Sequence, residues 1–253
     1  MPEQEQVAEG KRIYFASDFH FGIPDAIRSR ERERRVCAWL DSISGDAQHL
    51  FLLGDLFDSW MEYKRVVPKG FIRFLGKLAE LSDAGIGLSL FTGNHDLWVR
   101  DYFQTELGAR VFHEPQSFFI QGKRFHIGHG DGVAPQERGY RMMKEVFRHP
   151  LSRFLYRQLH PDLGLKMADY FSRLGMKHQG EEAAMEDIEK EHQIIYSREV
   201  LKTEKIDYFI YGHRHVPCTL KLNEYSTFIN LGDWIRYDTY AVFDGLETRL
   251  VKY

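Results

Sequence analysis

Short apolar runs alternate with longer amphipathic stretches in the first half of the chain. The runs at residues 12–17, 49–54 and 86–93 have the length of buried strands, and each is followed by polar residues. Between them, residues 27–44 and 68–84 carry apolar side chains at helical spacing. This alternation is typical of a mainly parallel sheet. We therefore expect binding residues beyond the carboxyl ends of the strands.

The pattern changes after about residue 110, where helical spacing gives way to closely spaced strand-like runs. We expect these runs to form a second, more antiparallel sheet, with a turn at Gly122. They are RVFHE, SFFIQ, KRFHIG, IDYFIYG, CTLKLN, TFINLG, YAVFDG and ETRLVKY. Two sheets packed face to face with helices outside give an α/β (α+β) fold of four layers, an αββα sandwich of two mixed sheets. Residues from about 137 to 203 lack strand signals, and we interpret them as a helical insertion that caps the sandwich.

Length and composition favour one large domain. The chain has 253 residues, of which 43% are hydrophobic and 14% aromatic, so it can bury a substantial core. We expect a polar arm at residues 1–10 and one domain at residues 11–253 that contains the insertion. The net charge of -3 gives no overall attraction to nucleic acid.

The chain shows no export or membrane-spanning signal. Its N-terminus is polar and acidic, and no apolar run approaches the roughly 20 residues that span a bilayer. Cys37 and Cys218 do not belong to ligand-spaced pairs, so we expect reduced thiols. These features predict a cytoplasmic protein that is at most peripheral to a membrane.

Five polar motifs follow predicted strands and contain metal-binding residue types. They are SDFH, LGDLFD, GNHD, GHGD and GHRH. The candidate metal ligands in them are Asp18, His20, Asp55, Asn94, His129, His213 and His215. Four imidazoles, two carboxylates and one amide oxygen, without thiolate, suit two divalent cations. A single motif of this kind is usually a turn. Five of them after successive strands predict a binuclear hydrolase.

Local geometry suggests how these ligands would converge. In an extended segment, residues i and i+2 point to the same side, so we expect Asp18 and His20 to bind one ion together. By the same reasoning His213 and His215 would reach two adjacent ions. The glycine before Asp55 allows the close approach that a bridging carboxylate needs. Two cations about 3.5–4 Å apart suit in-line displacement at phosphorus, and their excess positive charge favours an anionic phosphoryl group.

The predicted insertion is both basic and apolar. Residues 137–178 contain nine Lys or Arg side chains against four acids, interleaved with Leu, Met, Phe and Tyr. One interpretation is a set of amphipathic helices that bury their apolar face on the core. The other is a cap over the metal site that holds the acyl chains of an amphiphile, with phosphate near the arginines. The residue pattern alone leaves both open.

The order of the five motifs resembles the calcineurin-like metallophosphoesterase superfamily, whose fold is a two-sheet sandwich flanked by helices. The resemblance implies four ligands for each metal, Asp18, His20, Asp55 and His215 for one and Asp55, Asn94, His129 and His213 for the other. Asp55 would be the bridge. The resemblance also implies catalytic roles for His95, which would donate a proton or stabilise phosphate charge, and for Asp96, which would orient His95. Alternatively, His95 only packs locally.

A narrower resemblance covers nearly the whole chain. LGDLFDSW (53–60), GHGDGVAPQERGY (128–140), the basic insertion and NLGDW (230–234) are similar to the UDP-2,3-diacylglucosamine hydrolases of lipid A synthesis in Gram-negative bacteria. That family cleaves the pyrophosphate of its nucleotide-activated glycolipid to UMP and 2,3-diacylglucosamine 1-phosphate, usually with manganese. Zinc or iron are the alternatives. The resemblance implies contact with the cytoplasmic face of the inner membrane, and we infer neither a nucleic acid nor an obligate protein partner.

The narrower resemblance also supplies candidate substrate contacts. Tyr140 matches a cap tyrosine by spacing, Glu137 an acidic contact, and Arg173 an arginine of the second cap helix. The expected substrate-binding residues are Asn94, His95, Glu137, Tyr140, Arg141, Arg148, Arg173 and His213. His95 departs from the GNRD motif of the best-known members. Arginine is a fixed cation that binds phosphate, whereas histidine can also transfer a proton.

Two other functions remain open from the residues alone. One is a calcineurin-like phosphoesterase that acts on another nucleotide, a phosphodiester or a phosphoprotein, which would keep the metal motifs but need no apolar groove. The other is a metal-free interaction scaffold on the same fold, which would not require all seven ligands.

Overall fold

The strands of the protein form two six-stranded sheets. A computed structural model describes residues 4–134, 136–168, 170 and 190–253. In chain order the strands are β1 (Gln4–Glu5), β2 (Arg12–Ala16), β3 (Ala47–Leu53), β4 (Gly87–Phe91), β5 (Arg110–Phe112), β6 (Gln116–Ile120), β7 (Lys123–Ile127), β8 (Tyr208–Tyr211), β9 (Cys218–Lys221), β10 (Thr227–Asn230), β11 (Thr239–Phe243) and β12 (Thr248–Lys252). Every strand-like run of the sequence thus contains a strand.

Helices flank both sheets and make up the described part of the insertion. They are α1 (Ala26–Ile43), α2 (Ile72–Asp83), α3 (Tyr102–Leu107), α4 (Arg138–Arg148), α5 (Pro150–Tyr156), α6 (161–168) and α7 (His192–Val200). The first two match the expected helices, although α2 begins four residues later than the expected start at residue 68. Among the described residues, no helix has the length and apolar content needed to cross a membrane.

The first sheet has the order β12-β11-β2-β3-β4-β5. Its strands β2 to β5 are parallel, as the alternation of strands and helices predicts. The assignment of β5, β11 and β12 to the second sheet is wrong, because β5 pairs parallel with β4 and β11 pairs antiparallel with β2. The register places Ala241 opposite Phe15, so that both residues face the space between the sheets. Strand patterning marks such residues as buried but does not specify which sheet they join.

The second sheet has the order β1-β6-β7-β8-β10-β9. It is not the more antiparallel of the two, because β7, β8 and β10 run parallel to one another. The insertion explains this difference, since it forms the long crossover that a parallel connection from β7 to β8 requires. Gln4 and Glu5, expected in a polar arm, pair with β6 at the sheet edge. The outer limits of the arm and of the insertion stay predictions.

Three layers of buried side chains hold the sandwich together. Phe15 lies between the sheets, where its ring centroid is 5.2 Å from that of Phe51 and 6.0 Å from that of Phe125. Trp39 and other apolar residues bury the outer face of the first sheet under α1 and α2. Ile194 of α7 packs on the outer face of the second sheet. The expected αββα architecture is confirmed.

The parallel strands of both sheets end at the same edge of the sandwich. The Asp18 N–H donates to the Gly54 carbonyl at 3.1 Å, which joins the loops after β2 and β3. The Trp234 N–H donates to the Asp18 carbonyl at 3.2 Å, which joins the two sheets. The five polar motifs therefore meet at one edge, as expected for residues beyond the carboxyl ends of parallel strands.

Candidate metal centre

Asp18, His20 and His215 form the first group of candidate ligands. Nε2 of His215 lies 3.4 Å from Oδ1 of Asp18 and 3.3 Å from Nε2 of His20. Nε2 of His20 lies 3.7 Å from the same Asp18 oxygen. Asp18 and His20 are fully buried. One donor atom from each residue thus faces a common point.

Asp55, His129, His213 and Asn94 form the second group. Nε2 of His129 lies 3.3 Å from Oδ2 of Asp55 and 3.3 Å from Oδ1 of Asn94. Donor atoms of Asp55, His129 and His213 all lie within 4.8 Å of one another. Oδ2 of Asp55 also lies 3.6 Å from Nε2 of His20 in the first group. The structure therefore brings all seven candidate ligands together, with Asp55 between the two groups.

The backbone conformation of the candidate ligands differs from the extended one that the sequence predicts. Asp18 and His20 do not lie on an extended segment, and neither do His213 and His215. Five of the seven candidates have left-handed backbone, namely Asp18 (φ 56°), His20 (φ 44°), Asp55 (φ 51°), His213 (φ 70°) and His215 (φ 55°). Such a conformation costs about 1–3 kcal/mol for a residue other than glycine, and it clusters at functional sites. Sharp loop turns, not strand alternation, aim these side chains.

Close approach of two loops fixes the position of Asp55. A Cβ atom on Gly93 would lie 2.7 Å from the Asp55 backbone nitrogen and closer still to its carboxylate. Gly54 has a φ of 86°, and a Cβ there would lie 2.9 Å from the Gly93 Cα. The expected need for glycine before Asp55 is thus met, and Gly93 has the same role on the facing loop.

The two buried carboxylates give the site a surplus of negative charge. Burial alone would lower the pKa of His129, but the Asp55 carboxylate raises it to about 10. Burial would also lower the pKa of His20, but its contacts with Asp18 and Asp58 raise it to about 10. The raised pKa values show that the carboxylates favour a positive charge on both imidazoles. A divalent cation satisfies the same demand and takes the place of the protons.

His213 has the properties of a ligand that stays neutral. Burial lowers its pKa to about 4, and the nearby charge of His129 acts in the same direction. Its Nδ1 atom is buried and has no hydrogen-bond partner among the described residues. With neutral imidazoles, carboxylates and an amide oxygen within reach of one another, the residues present fit divalent cations.

Acceptor groups outside the ligand set orient two of the imidazoles. Nδ1 of His129 lies 2.7 Å from the Leu53 carbonyl, and Nδ1 of His215 lies 3.1 Å from Oδ2 of Asp233. Such contacts fix the ring and direct Nε2 towards a metal. The NLGDW motif carries the family resemblance, but the sequence pattern assigns no role to its aspartate, Asp233. The position of Asp233 after a strand, like that of Asp55 in LGDLFD, is the signal that indicates a role in the site.

His95 lies beside the metal centre, where its backbone N–H donates to Oδ1 of Asp55 at 2.9 Å. Nδ1 of His95 lies 3.0 Å from the Asp58 carbonyl and 3.5 Å from Oδ1 of Asp58. Asp96, which we expected to orient His95, instead accepts backbone N–H groups of Gly93 and Leu56 at 2.5 Å and 3.1 Å. Burial raises the pKa of Asp96 to about 7, and the charge of Asp55 adds to the effect. Asp96 holds the loops, and Asp58 contacts the His95 ring; the expected role of Asp96 in orienting His95 stays a prediction.

The first helix of the insertion is anchored to the GHGD loop. The Tyr140 hydroxyl donates to Oδ2 of Asp131 at 2.7 Å, and Nζ of Lys144 lies 2.9 Å from the same oxygen. Burial alone would raise the pKa of Asp131, but His129 and Lys144 lower it to about 2. Asp131 and Lys144 were missed as members of the site, although Asp131 stands in the GHGD motif itself.

The other expected substrate residues have varied surroundings. Oε2 of Glu137 accepts the Ala134 N–H at 3.0 Å. Arg141 is exposed beside the GHGD loop. Arg148 pairs with Glu114 and donates to the His113 carbonyl at 2.6 Å, so it fastens the end of α4 to the sandwich. Arg173 lies outside the described residues. The substrate roles of all of these residues stay predictions.

The insertion covers the loop that follows GNHD while it exposes apolar side chains. Nε1 of Trp98 donates to the Phe147 carbonyl at 2.9 Å, and Arg153 donates to the Leu97 carbonyl at 3.2 Å. The amphipathic-helix interpretation requires the apolar residues of the insertion to be buried on the core. Many of them are exposed instead. The exposed ones are Met142, Met143, Val146, Phe147, Leu151, Phe154, Leu155, Leu163 and Tyr170.

Comparison with known proteins identifies the family. The model of the calcineurin-like phosphoesterase family matches residues 11–217, which is most of the chain. The chain belongs to the calcineurin-like phosphoesterase family. As a calcineurin-like phosphoesterase, it is a metal-dependent hydrolase, and the ligand cluster described above is its candidate site for divalent metal ions.

Curated relatives of this calcineurin-like phosphoesterase carry a more specific name. A UDP-2,3-diacylglucosamine hydrolase of Porphyromonas gingivalis (strain ATCC BAA-308 / W83) is 40% identical over 248 residues, which cover 92% of this chain and 94% of the relative. A protein of the same name from Hahella chejuensis (strain KCTC 2396) is 28% identical, with 87% of this chain and 88% of the relative covered. The similarity extends through the insertion as well as the sandwich.

Proposed function

We propose that this protein hydrolyses the pyrophosphate of UDP-2,3-diacylglucosamine to UMP and 2,3-diacylglucosamine 1-phosphate, with two manganese ions. The observation that carries the proposal is the 40% identity to a UDP-2,3-diacylglucosamine hydrolase over 92% of the chain. Identity over this length includes the insertion, which contributes the surface outside the metal motifs. Zinc or iron could fill the same donor set, because nitrogen and oxygen ligands accept all three metals.

The surface of the insertion supports an amphiphilic substrate. Apolar side chains such as Leu151, Phe154 and Leu155 are more than half exposed. Exposed apolar clusters of this kind usually mark binding sites for apolar ligands, membranes or proteins. Arg153 and Arg157 lie on the same segment, where they would attract phosphate. Acyl chains and a diphosphate together match this combination of side chains.

The metals and the side chains of the site would have different roles in the reaction. When bound, two divalent cations supply positive charge that polarises the phosphoryl oxygens and stabilises the attacking and departing oxygens. Asp55, whose Oδ2 lies close to Nε2 of both His20 and His129, would be the ligand that the two metals share. Nδ1 of His95 is occupied by its contacts with Asp58, so a phosphate contact or proton transfer by His95 would use Nε2.

We also propose peripheral contact with the cytoplasmic face of the inner membrane. The substrate is a lipid, and the exposed apolar residues of the insertion lie among Arg and Lys side chains. This composition is typical of segments that bind an anionic membrane surface.

The substrate is tested by incubating the purified protein and manganese with UDP-2,3-diacylglucosamine. A parallel reaction contains generic phosphodiesters, and UMP release is followed in the first. We expect rapid formation of UMP and slow turnover of the generic esters. Rapid cleavage of the generic esters alone would favour a phosphoesterase with another substrate and would contradict the lipid assignment.

The metal centre is tested by Asp55→Ala. We expect hydrolysis to be abolished while the fold persists, because this substitution removes the carboxylate shared by the two ligand groups. Asp83→Ala, at an exposed position at the end of α2, is the matched control and should keep full activity. Turnover that survives Asp55→Ala would contradict the binuclear mechanism.

A further inference from the structure

Two buried amides connect the last helix of the insertion to the metal loops. Gln193 lies in α7, and Asn230 is the last residue of β10. Their side chains are 2% and 0% exposed. Neither belongs to the ligand set, and neither lies in one of the five motifs.

The two side chains share one set of hydrogen bonds. Nε2 of Gln193 donates to the carbonyls of Gly130 and Gly212, at 3.3 Å and 3.0 Å. Nδ2 of Asn230 donates to the Gly212 carbonyl at 2.7 Å and to Oε1 of Gln193 at 3.0 Å. Carbonyl oxygens only accept, so the amide nitrogens must face them. Both N–H groups of each amide are therefore used.

The backbone groups held by the two amides adjoin metal ligands. Gly130 directly follows His129, and Gly212 directly precedes His213. The Gly212 N–H also donates to the His129 carbonyl at 3.0 Å. The GHGD and GHRH loops are thus joined to each other and to α7 at the positions next to their ligands.

The loop backbone leaves space for the Gln193 amide. Gly130 has a φ of 100°, and a Cβ atom there would lie 2.9 Å from Cδ of Gln193. A side chain at this position would therefore push the amide away from the loop. Buried amides without partners cost about 1–3 kcal/mol each, so a fully bonded pair at this point favours one arrangement of the loops.

We propose that Gln193 and Asn230 form an amide clamp that positions His129 and His213 and thereby sets the affinity for one of the two metal ions. The clamp acts through the backbone of the loops and does not touch the substrate, so both are positioning residues. Through the clamp, α7, the last helix of the insertion, helps to support the metal centre. The inference rests on the metal centre of the proposed function.

Gln193→Met tests the clamp, because methionine preserves the volume of the side chain but cannot bond to the two carbonyls. Protein is equilibrated at a fixed free manganese concentration, and bound metal is measured by elemental analysis and by calorimetric titration. We expect the affinity of the Asp55–His129–His213 group to fall about tenfold or more, the range for residues that support metal ligands. The site of Asp18, His20 and His215 should lose less affinity, because none of its ligands directly adjoins Gly130 or Gly212, although the His213 N–H donates to Asp18 at 3.1 Å.

Two further readouts separate positioning from general stability. Saturating manganese should restore kcat of Gln193→Met with KM unchanged, because the ligands themselves are intact. Ser197→Ala is the matched control, since Ser197 is buried on the same helix and its hydroxyl donates to the Gln193 backbone carbonyl at 2.7 Å, so its loss leaves the Gln193 amide in place. It should bind two metals as the unchanged protein does.

Asn230→Asp is the second variant, because a carboxylate replaces both N–H donors and retains the acceptor for the Gly232 N–H. We expect the same selective loss of one metal. Two metals bound at unchanged affinity in both variants would overturn the clamp, and so would failure of both variants to fold, since the amides would then support the fold as a whole. Failure of the unchanged protein to bind two metals would instead contradict the metal centre itself.

Discussion

At the residue scale, the buried imidazoles of this protein differ in pKa according to the groups around them. His20 and His129 face buried carboxylates, which raise their pKa values to about 10 against the effect of burial. His126 lies in the second sheet among uncharged partners, with Nδ1 3.0 Å from the Tyr211 hydroxyl and Nε2 3.4 Å from the Tyr196 hydroxyl. The same side chain is therefore a candidate metal ligand in one place and a neutral hydrogen-bonded core residue in the other.

His126 should make the stability of the fold depend on pH. Burial lowers its pKa from 6.5 to about 4, and the nearby charge of Arg124 adds to the effect. The unfolded chain therefore takes up a proton at a higher pH than the folded protein does. The contribution of neutral His126 to the free energy of unfolding is fully present above about pH 6.5. It is lost as the pH falls towards 4, and the total loss is about 3 kcal/mol.

The measurement for His126 is urea unfolding between pH 7.5 and 4.5 of the unchanged protein and of His126→Phe. We expect the variant to be less stable at pH 7.5, and the difference to shrink as the pH falls because phenylalanine cannot take up a proton. A difference that stays constant with pH would contradict this account.

His95 should affect the rate far more than the metal content. In His95→Gln we expect kcat to fall about 10²–10⁴-fold, the usual contribution of a positioned acid or base. Bound metal should stay at two ions per chain, because His95 is not among the seven candidate ligands. Initial rates and elemental analysis of the same preparation measure both quantities. His160→Gln, at an exposed histidine between α5 and α6, is the control and should not change either value. A rate within twofold of the unchanged protein would show that His95 only packs locally.

At the element scale, helices support the loops of the site from outside. Arg32 of α1 is buried and donates to the His20 carbonyl at 2.6 Å. α4 holds Asp131 through Tyr140 and Lys144, and α7 reaches the same region through Gln193. The insertion is therefore fastened to the metal loops at both of its ends.

The start of α2 depends on a side chain of another helix. Phe71 at its N-cap has left-handed backbone and forms no capping bond. Oε1 of Glu33 in α1 instead accepts the Arg73 and Phe74 N–H groups, at 3.0 Å and 3.3 Å. A carboxylate at this end also interacts favourably with the helix dipole.

Glu33→Gln should lower the free energy of unfolding by about 1 kcal/mol, because the charge at the helix start is lost. For a chain of this size the melting temperature should fall by about 2–4 °C. Scanning calorimetry checks the value, and hydrolysis should be unchanged. Glu31→Gln, at an exposed position of the same helix, is the control and should not lower the melting temperature. Equal effects of the two substitutions would show that Glu33 does not cap α2.

At the scale of the whole molecule, the metal centre joins the two sheets at one edge. Asp18, Asp55 and Asn94 come from loops of the first sheet, and His129 and His213 come from loops of the second. Cations bound between them would therefore connect the two halves of the sandwich.

Metal removal should lower the thermal stability of the protein. A ligand present at about 100 times its Kd stabilises the folded state by about 2.7 kcal/mol. We therefore expect the melting temperature to fall by several degrees after chelation and to recover with manganese. The same series on Asp55→Ala should show a much smaller response. A melting temperature that does not respond to chelation or to manganese would contradict tight binding at this site.

The sequence by itself determined most of the elements and indicated the candidate ligands. Residue type and spacing specify which stretches form helices or strands, and the polar residues after strands specify the candidate chemistry. These features are encoded within a few consecutive residues, so Asp18, Asp55 and His129 could be named as candidate ligands without a structure. The family resemblance carried by the same motifs is confirmed.

The tertiary structure decided how distant segments combine. It placed β11 beside β2 in the first sheet, gave His20 a left-handed backbone, and brought Asp58 to His95 and Asp233 to His215. It also placed Gln193 against loops that precede and follow it by many residues. Such partners are selected by packing between segments far apart in the chain, and no local pattern of hydrophobic and polar residues records that choice.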